Sequence, residues 1–205
     1  QRSHSTQLLP LINELLNEHQ LTLHDLDGLA YGRGPGSFTG VRVSVSVIQA
    51  LAFALNIPAI GISSLKAMAL NFFNIVPSVE RIITLLDARM NEIYYASYNL
   101  KINEIDSNLT FNELQQECLL NYQSAEQQLT NEILENTPNL DKLAIVGDGG
   151  KLFTCLSSAN YSKINFNFEI WPNAKAIAQL ALNAQAENWL SPFEVKPIYL
   201  REMYS

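Results

Sequence analysis

Four of the chain's nine glycines fall within Gly32-Arg33-Gly34-Pro35-Gly36-Ser37-Phe38-Thr39-Gly40. That spacing limits the fold more than any other feature. A helix interior loses about 1 kcal/mol for a glycine and about 3 kcal/mol for a proline, so no helix runs through 32–36. The strand Leu29-Ala30-Tyr31, framed by Gly28 and Gly32, must end in a turn and hand over to a new element. Glycines there permit positive φ and close approach of the backbone. A helix opening near Ser37 would aim its free amides at a phosphate or carboxylate. The segment lacks the Gly-Lys-Ser/Thr ending of a P-loop and the spacing of a dinucleotide fingerprint. From the residues alone, a tight structural turn and a phosphate site at Gly34, Gly36, Ser37, Thr39 and Gly40 both stay open.

The flanking segments alternate between the two periodicities. Leu8, Leu11, Ile12, Leu15 and Leu16 repeat at three and four residues, which predicts an amphipathic helix over His4–Glu18. Pro10 predicts a kink or a late start. Thr22 and Asp25 suggest a capped short turn. Val41–Ile48 reads both ways: its valines alternate as in a strand, while Val41, Val45, Ile48, Ala52 and Leu55 keep a helical stripe. Pro58–Ile62 reads as a short strand, and Ser64 can cap a helix over Leu65–Phe73. Pro77-Ser78 marks a boundary. Arg81–Asp87 and Glu92–Leu100 then form strands around the turn Ala88-Arg89-Met90-Asn91, with a third strand near Glu117–Leu120. Ser124 with Gln127 resembles a capping box for a helix to Glu135. Leu143–Val146 is a strand running into Gly147-Asp148-Gly149-Gly150, and another strand lies near Ile164–Phe168. Asn173 can cap a helix through Ala186, and Pro192–Arg201 is a Pro-punctuated tail. The order indicates an α/β chain. Its expected divisions are a lobe over 1–78, a second over 79–190, and a tail over 191–205 packing back towards the first lobe.

Charge narrows the function. The 205 residues carry 13 basic and 20 acidic side chains, a net charge of -7, which argues against a chain that holds nucleic acid by neutralising phosphates. Charged residues make up 16% of the chain, against roughly 25% in ordinary soluble domains. A surface so thinly charged suggests a partner. No apolar run reaches the roughly 20 residues of a membrane span, because Arg42, Ser44, Ser46, Gln49, Asn56 and Pro58 interrupt the best one. The chain is expected to be soluble and cytoplasmic, without a membrane partner. Cys118 and Cys155 lack CxxC spacing, so two buried, reduced cysteines are expected rather than a disulfide framework or zinc site. His4, His19 and His24 show no HxxxH or HExxH spacing. Ser37 does not sit in Gly-x-Ser-x-Gly, which speaks against a serine hydrolase or peptidase.

Several stretches together resemble the bacterial TsaB (YeaZ) family: Gly32–Gly40 followed by Val41-Arg42-Val43, then Pro58–Leu65, Asp87-Ala88-Arg89-Met90 with Glu92-Ile93-Tyr94, Trp171-Pro172-Asn173-Ala174, and Pro197-Ile198-Tyr199-Leu200-Arg201. The resemblance covers nearly the whole chain. It implies an α/β, two-lobed actin-like ATPase (ribonuclease H-like) fold with mixed sheets flanked by helices. It also implies a role in making threonylcarbamoyladenosine beside the tRNA anticodon. In that pathway the TsaB-like subunit pairs with a catalytic relative, TsaD, and a TsaE-like ATPase joins them. The expected partners follow: the TsaD-like subunit, the TsaE-like ATPase, a second copy when alone, and tRNA only indirectly.

The catalytic relative holds its metal with an Asn-His-x-x-x-His pattern on the helix after the second short strand. This chain has Ser63-Ser64-Leu65-Lys66-Ala67-Met68 there, and a hydroxyl and a thioether do not replace two imidazoles. A non-catalytic scaffold or activator is therefore expected, with no cofactor of its own, ATP and metal being used by partner subunits. The alternative is an ATP-dependent phosphotransferase or hydrolase of the same fold; a homodimeric module with an unrelated partner is a third possibility. The family also implies that Phe38–Leu55 is a helix, forming with the first helix the face that meets the partner. The candidates for that face are Leu8, Leu11, Ile12, Leu15, Val41, Val45, Ile48 and Ala52, with packing on the chain's own sheet as the competing reading. Relatives place a nucleotide-contacting loop where Gly147, Gly149 and Gly150 stand, and an ordinary helix-capping turn competes with that. The family further implies a first strand hairpin with an Asp-Thr-Ser turn, for which about 25 to 30 residues are expected before Gln1.

Overall fold

The computed structural model describes residues 4–102, 109–135, 137–153 and 161–201. They group into two compact units, residues 1–64 with 174–199, and residues 65–173 with 200–205.

In the first unit, β1 (Leu29–Gly34) and β2 (Ala59–Ser63) pair in parallel, Leu29 opposite Ala59 and Gly32 opposite Ile62. A parallel pair needs a crossover, and α2 (Phe38–Leu55) supplies it. The alternating valines of 41–47 are thus helical, as the family resemblance implied. Ser37 Oγ accepts from the Gly40 amide at 3.4 Å to cap the start, and Asn56 ends the helix at φ 53°. Successive strand residues point to opposite faces, and both faces are covered. Tyr31 and Ala59 pack on Val45 and Ala52 of α2, with Val195 of the tail. Ala30, Ile60 and Ile62 pack on Ile177 and Ala181 of α5 (Ala174–Leu182). The first helix, α1 (His4–Glu18), lies against α2 and runs through Pro10 rather than starting after it. Thr22 and Asp25 cap a short turn through the Asp25 carboxylate, which accepts from the Thr22 amide and hydroxyl, each at 2.7 Å.

The second unit contains a five-stranded sheet in the order β5-β4-β3-β6-β7. β3 (Arg81–Arg89), β4 (Glu92–Ile102) and β5 (Leu109–Asn121) form an antiparallel meander; β6 (Leu143–Val146) runs parallel to β3, and β7 (Asn165–Asn167) parallel to β6. One face buries Ile82, Leu86, Ala96 and Tyr98 against Leu65, Met68 and Phe72 of α3 (Ser64–Phe73). The other buries Ile83, Leu85, Ile93 and Tyr95 against Leu129 and Ile133 of α4 (Tyr122–Glu135).

Differences from the sequence reading are local. Ser124 does not cap α4; its amide donates to Asn121 Oδ1 at 2.8 Å, so the cap lies three residues earlier. Ser64 is the first residue of α3, not its cap. β5 begins at Leu109 because pairing with β4 extends it beyond the local pattern of 117–120. The grouping of residues also departs from 1–78, 79–190 and 191–205. α5 covers the back of β1 and β2, so it belongs with the first unit together with the tail to 199. Cys118 is half-buried, and burial pushes its thiol pKa up; Cys155 lies outside the described residues.

Candidate functional site

The glycine-rich turn is held by the chain's own tail. The Arg33 carbonyl accepts from the Ile198 amide at 2.9 Å, and Tyr31 Oη donates to the Lys196 carbonyl at 3.2 Å. Gly34 has φ +100°, and a β-carbon there would approach the Ile198 carbonyl oxygen to 3.2 Å. Gly36 meets Val41 at van der Waals distance, and Ser37, Thr39 and Gly40 are the exposed start of α2.

The second glycine segment packs against its own sheet. Gly147 has φ +97°, and a β-carbon on it would collide with the Leu85 carbonyl oxygen and the Met68 methyl. One on Gly149 would come within 2.9 Å of the Leu85 carbonyl carbon, and one on Gly150 would run into the Phe168 ring. Beside them Asp148 Oδ1 accepts from the Asp87 amide at 3.0 Å. Gly147 and Gly149 thus serve close backbone packing on β3, and Gly150 makes room for the Phe168 ring.

Two motifs far apart in sequence meet at the β3–β4 turn. Asp87 Oδ1 accepts from the Arg89 amide at 2.8 Å, and its carboxylate pairs with the Arg89 guanidinium at 3.2 Å. Arg201 donates to the Ala88 carbonyl at 3.0 Å and pairs with Glu92. Arg89, Met90 and Asn91 all take positive φ, between 56° and 63°. Non-glycine residues pay for that conformation, and the surrounding contacts hold it.

The candidate partner face divides. Leu11 and Leu15 of α1 are each 57% exposed, while Leu8 and Ile12 are half-buried. Val45 is 6% exposed and Ala52 fully buried, with Val41 and Ile48 packed beside them in the core over β1. The α2 stripe chosen from the sequence is therefore the inner stripe: its periodicity recorded packing on the sheet, and Val45 and Ala52 are closed to a partner.

The outward side of α2 was not anticipated. Phe38 and Phe53 are 57% and 62% exposed, and Arg42 lies between them in sequence, one turn after Phe38. The tail adds Phe193, edge-on to Phe53 with centroids 5.6 Å apart, and Tyr199, 6.1 Å from Phe38. The signal was present in the composition of α2, which is apolar nearly all round although one helix face suffices for a two-stranded sheet. Its 18 residues are apolar enough that length and composition alone would also suit a membrane span.

At the place of the relative's histidine pattern, Ser63 and Ser64 are buried and Ala67 and Met68 are fully buried, Met68 in the core beneath the sheet. Among the described residues, no three His, Cys, Asp or Glu side chains gather where they could hold a metal.

The chain is similar to known proteins in sequence and in fold. A family model described as "TsaD: tRNA N6-adenosine threonylcarbamoyltransferase" matches residues 1–188. A tRNA threonylcarbamoyladenosine biosynthesis protein TsaB from Haemophilus influenzae is 35% identical over 204 residues, 98% of this chain and 81% of that protein. The chain belongs to the TsaB (YeaZ) family. The Escherichia coli TsaB is 40% identical over 104 residues, 51% of this chain and 45% of that one. Two solved structures from Pseudomonas aeruginosa superpose on the TsaB-family chain. One, described as an uncharacterized protein with similarity to peptidase YEAZ, has a TM-score of 0.77 at 28% identity, covering 98% of this chain and 85% of the other. The second, YeaZ, has a TM-score of 0.72 at 26% identity, covering 97% and 85%. The expected actin-like, ribonuclease H-like fold is thus the fold of this TsaB-family chain.

Proposed function

We propose that this chain is a non-catalytic scaffold subunit of the machinery that forms threonylcarbamoyladenosine in tRNA, and that it binds and activates a TsaD-like transferase. One observation carries the reading. The family model named for the transferase runs through residues 1–188, yet where the transferase pattern has two histidines this chain has Ser64 and the fully buried Met68. A thioether sealed in an apolar core offers nothing to a hard or borderline metal. The protein keeps the fold, and its relatives TsaB are named for the same pathway.

In this reading the chain contributes surface rather than chemistry. Leu11 and Leu15 of α1, with the outer side of α2, form the docking face; the transferase supplies the metal, the nucleotide chemistry and most of the tRNA contact. A TsaE-like ATPase joins the pair, and a second copy occupies the face when the transferase is absent. The phosphotransferase alternative would place a nucleotide between Gly34–Gly40 and Gly147–Gly150, and of these Gly147, Gly149 and Gly150 are packed against Leu85 and Phe168.

Calorimetry separates the two. The scaffold reading expects saturable binding of the TsaD-like protein and no hydrolysis of ATP with magnesium by the chain alone. Turnover of ATP by the chain alone, or no association with the transferase, refutes it.

A further inference from the structure

We infer that Arg42 anchors a carboxylate of the transferase partner, presented on an aromatic platform that the C-terminal tail completes. The inference rests on the proposal that the chain docks on such a partner, and it names the chemistry of the contact.

The platform is built locally. Phe38 and Arg42 are four residues apart, so they share one side of α2. The guanidinium carbon of Arg42 sits 3.6 Å from the Phe38 ring centroid and 5.5 Å from that of Tyr199. Its Nε donates to Tyr199 Oη at 2.7 Å. Tyr199 is brought there by the tail, fixed one residue earlier through the Ile198 amide on the Arg33 carbonyl at 2.9 Å. A side chain with many rotamers is thus held in one orientation before a partner arrives, which lowers the entropy cost of binding.

The held group keeps donors to spare. Among the described residues Nε is the only guanidinium nitrogen of Arg42 with a hydrogen bond or ion pair, to Tyr199. The two terminal nitrogens, the fork that matches a carboxylate bidentately, have no hydrogen-bond or ion-pair partner among the described residues. Phe38 and Tyr199 remain 57% and 44% exposed around it. Arginine and aromatic side chains gathered this way are what dominates the centres of protein interfaces.

The charges select the occupant. α1 and α2 contain no other lysine or arginine, and α1 carries Glu14 and Glu18. A nucleic-acid backbone, with its closely spaced phosphates, requires several cations; on these two helices Arg42 is the single lysine or arginine, and it stands on apolar rings. A single aspartate or glutamate side chain, rimmed by apolar residues of a folded protein, fits.

The test measures affinity for the purified TsaD-like protein with the wild-type chain, Arg42→Gln, Arg42→Glu and Arg42→Lys. Arg42→Gln should weaken binding about 30-fold or more, as expected for loss of a buried charge-assisted contact, and Arg42→Glu further. Arg42→Lys, which keeps charge but not the fork, should fall between. Melting temperatures should stay near wild type because the side chain is exposed; should Arg42→Glu unfold, Arg42→Gln decides. A charge-reversing Asp or Glu→Arg variant of the partner should restore binding to Arg42→Glu. If the wild type binds but Arg42→Gln binds equally well, the anchor is refuted and the scaffold reading survives. If the wild type does not bind at all, both fall. If Arg42→Gln lowers affinity for tRNA and leaves partner affinity untouched, the anchor serves RNA and the inference is overturned.

Discussion

The hydroxyl of Tyr95 donates to a carboxylate oxygen of Glu132 at 3.0 Å, joining β4 to α4 inside the second unit. The same oxygen accepts from Ser97 Oγ at 3.0 Å and Gln128 Nε2 at 3.2 Å. Burial, followed by the adjacent carboxylate, pushes the Tyr95 hydroxyl well above the ordinary tyrosine range, so it stays a donor at every physiological pH. Tyr95→Phe leaves Glu132 its other donors and should cost about 1 kcal/mol. Glu132→Ala strands two hydroxyls and opens a cavity, and should cost about 3 kcal/mol. Urea titration of both variants checks the order; equal costs would contradict it.

Gly147 is required by conformation and by space. Gly147→Ala must hold a β-carbon at φ +97° against Leu85 and Met68, which should cost about 3 kcal/mol in combined strain and overpacking. Thermal unfolding reads this directly. A variant as stable as the wild type would show that the loop relaxes and would reopen it as a ligand loop.

The two helices of the candidate face respond oppositely to charge. Val45→Asp buries a carboxylate in the core over β1 and should destabilise the protein by about 4 kcal/mol, with partner binding lost through unfolding. Leu15→Asp changes an exposed side chain and should leave stability within about 0.5 kcal/mol, while weakening association with the transferase. Circular dichroism melts paired with co-purification separate the outcomes; intact folding of Val45→Asp would contradict the packing.

How much was legible follows from these cases. The strand and helix succession was readable because the 3.6-residue period is written in Leu8–Leu16, while Arg81–Asp87 and Leu143–Val146 are short apolar runs bounded by turn residues. The alternating valines of α2 were not decidable locally, since only the crossover between two parallel strands requires a helix there. The family stretch around Gly32–Gly40 was legible as a turn, but not that the tail at Ile198 would close over it, a contact more than 150 residues distant in sequence. The α2 stripe fits both a partner face and packing on the chain's own sheet when read from sequence, because a stripe records burial without saying against what, and the structure packs it on the sheet. Phe38, Arg42, Phe53, Phe193 and Tyr199 escaped because an outward aromatic has no period of its own, and because the tail had to be placed in space.

Two exposed carboxylates should titrate early. Hydrogen bonds from the Thr22 hydroxyl and amide hold Asp25 below the usual carboxylate range, and those from Ser191 do the same for Glu194. Each therefore contributes stability that is present above the ordinary carboxylate pKa and lost as pH falls through the lowered one. Carboxyl-carbon NMR titration should give both midpoints below those of exposed, uncapped carboxylates in the chain, and Thr22→Ala should return Asp25 towards the ordinary value. A midpoint for Asp25 unmoved by Thr22→Ala would show that the cap does not form.

The most direct test is reconstituted modification of tRNA, with threonylcarbamoyladenosine measured by mass spectrometry of the digested nucleosides. The account predicts product when this chain and the TsaD-like transferase are combined with the ATPase and the activated threonylcarbamoyl donor. It predicts none when the transferase is omitted, and a large drop when only this chain is omitted. Product formed by this chain without the transferase, or undiminished product in its absence, would contradict the claim that it is a required non-catalytic scaffold.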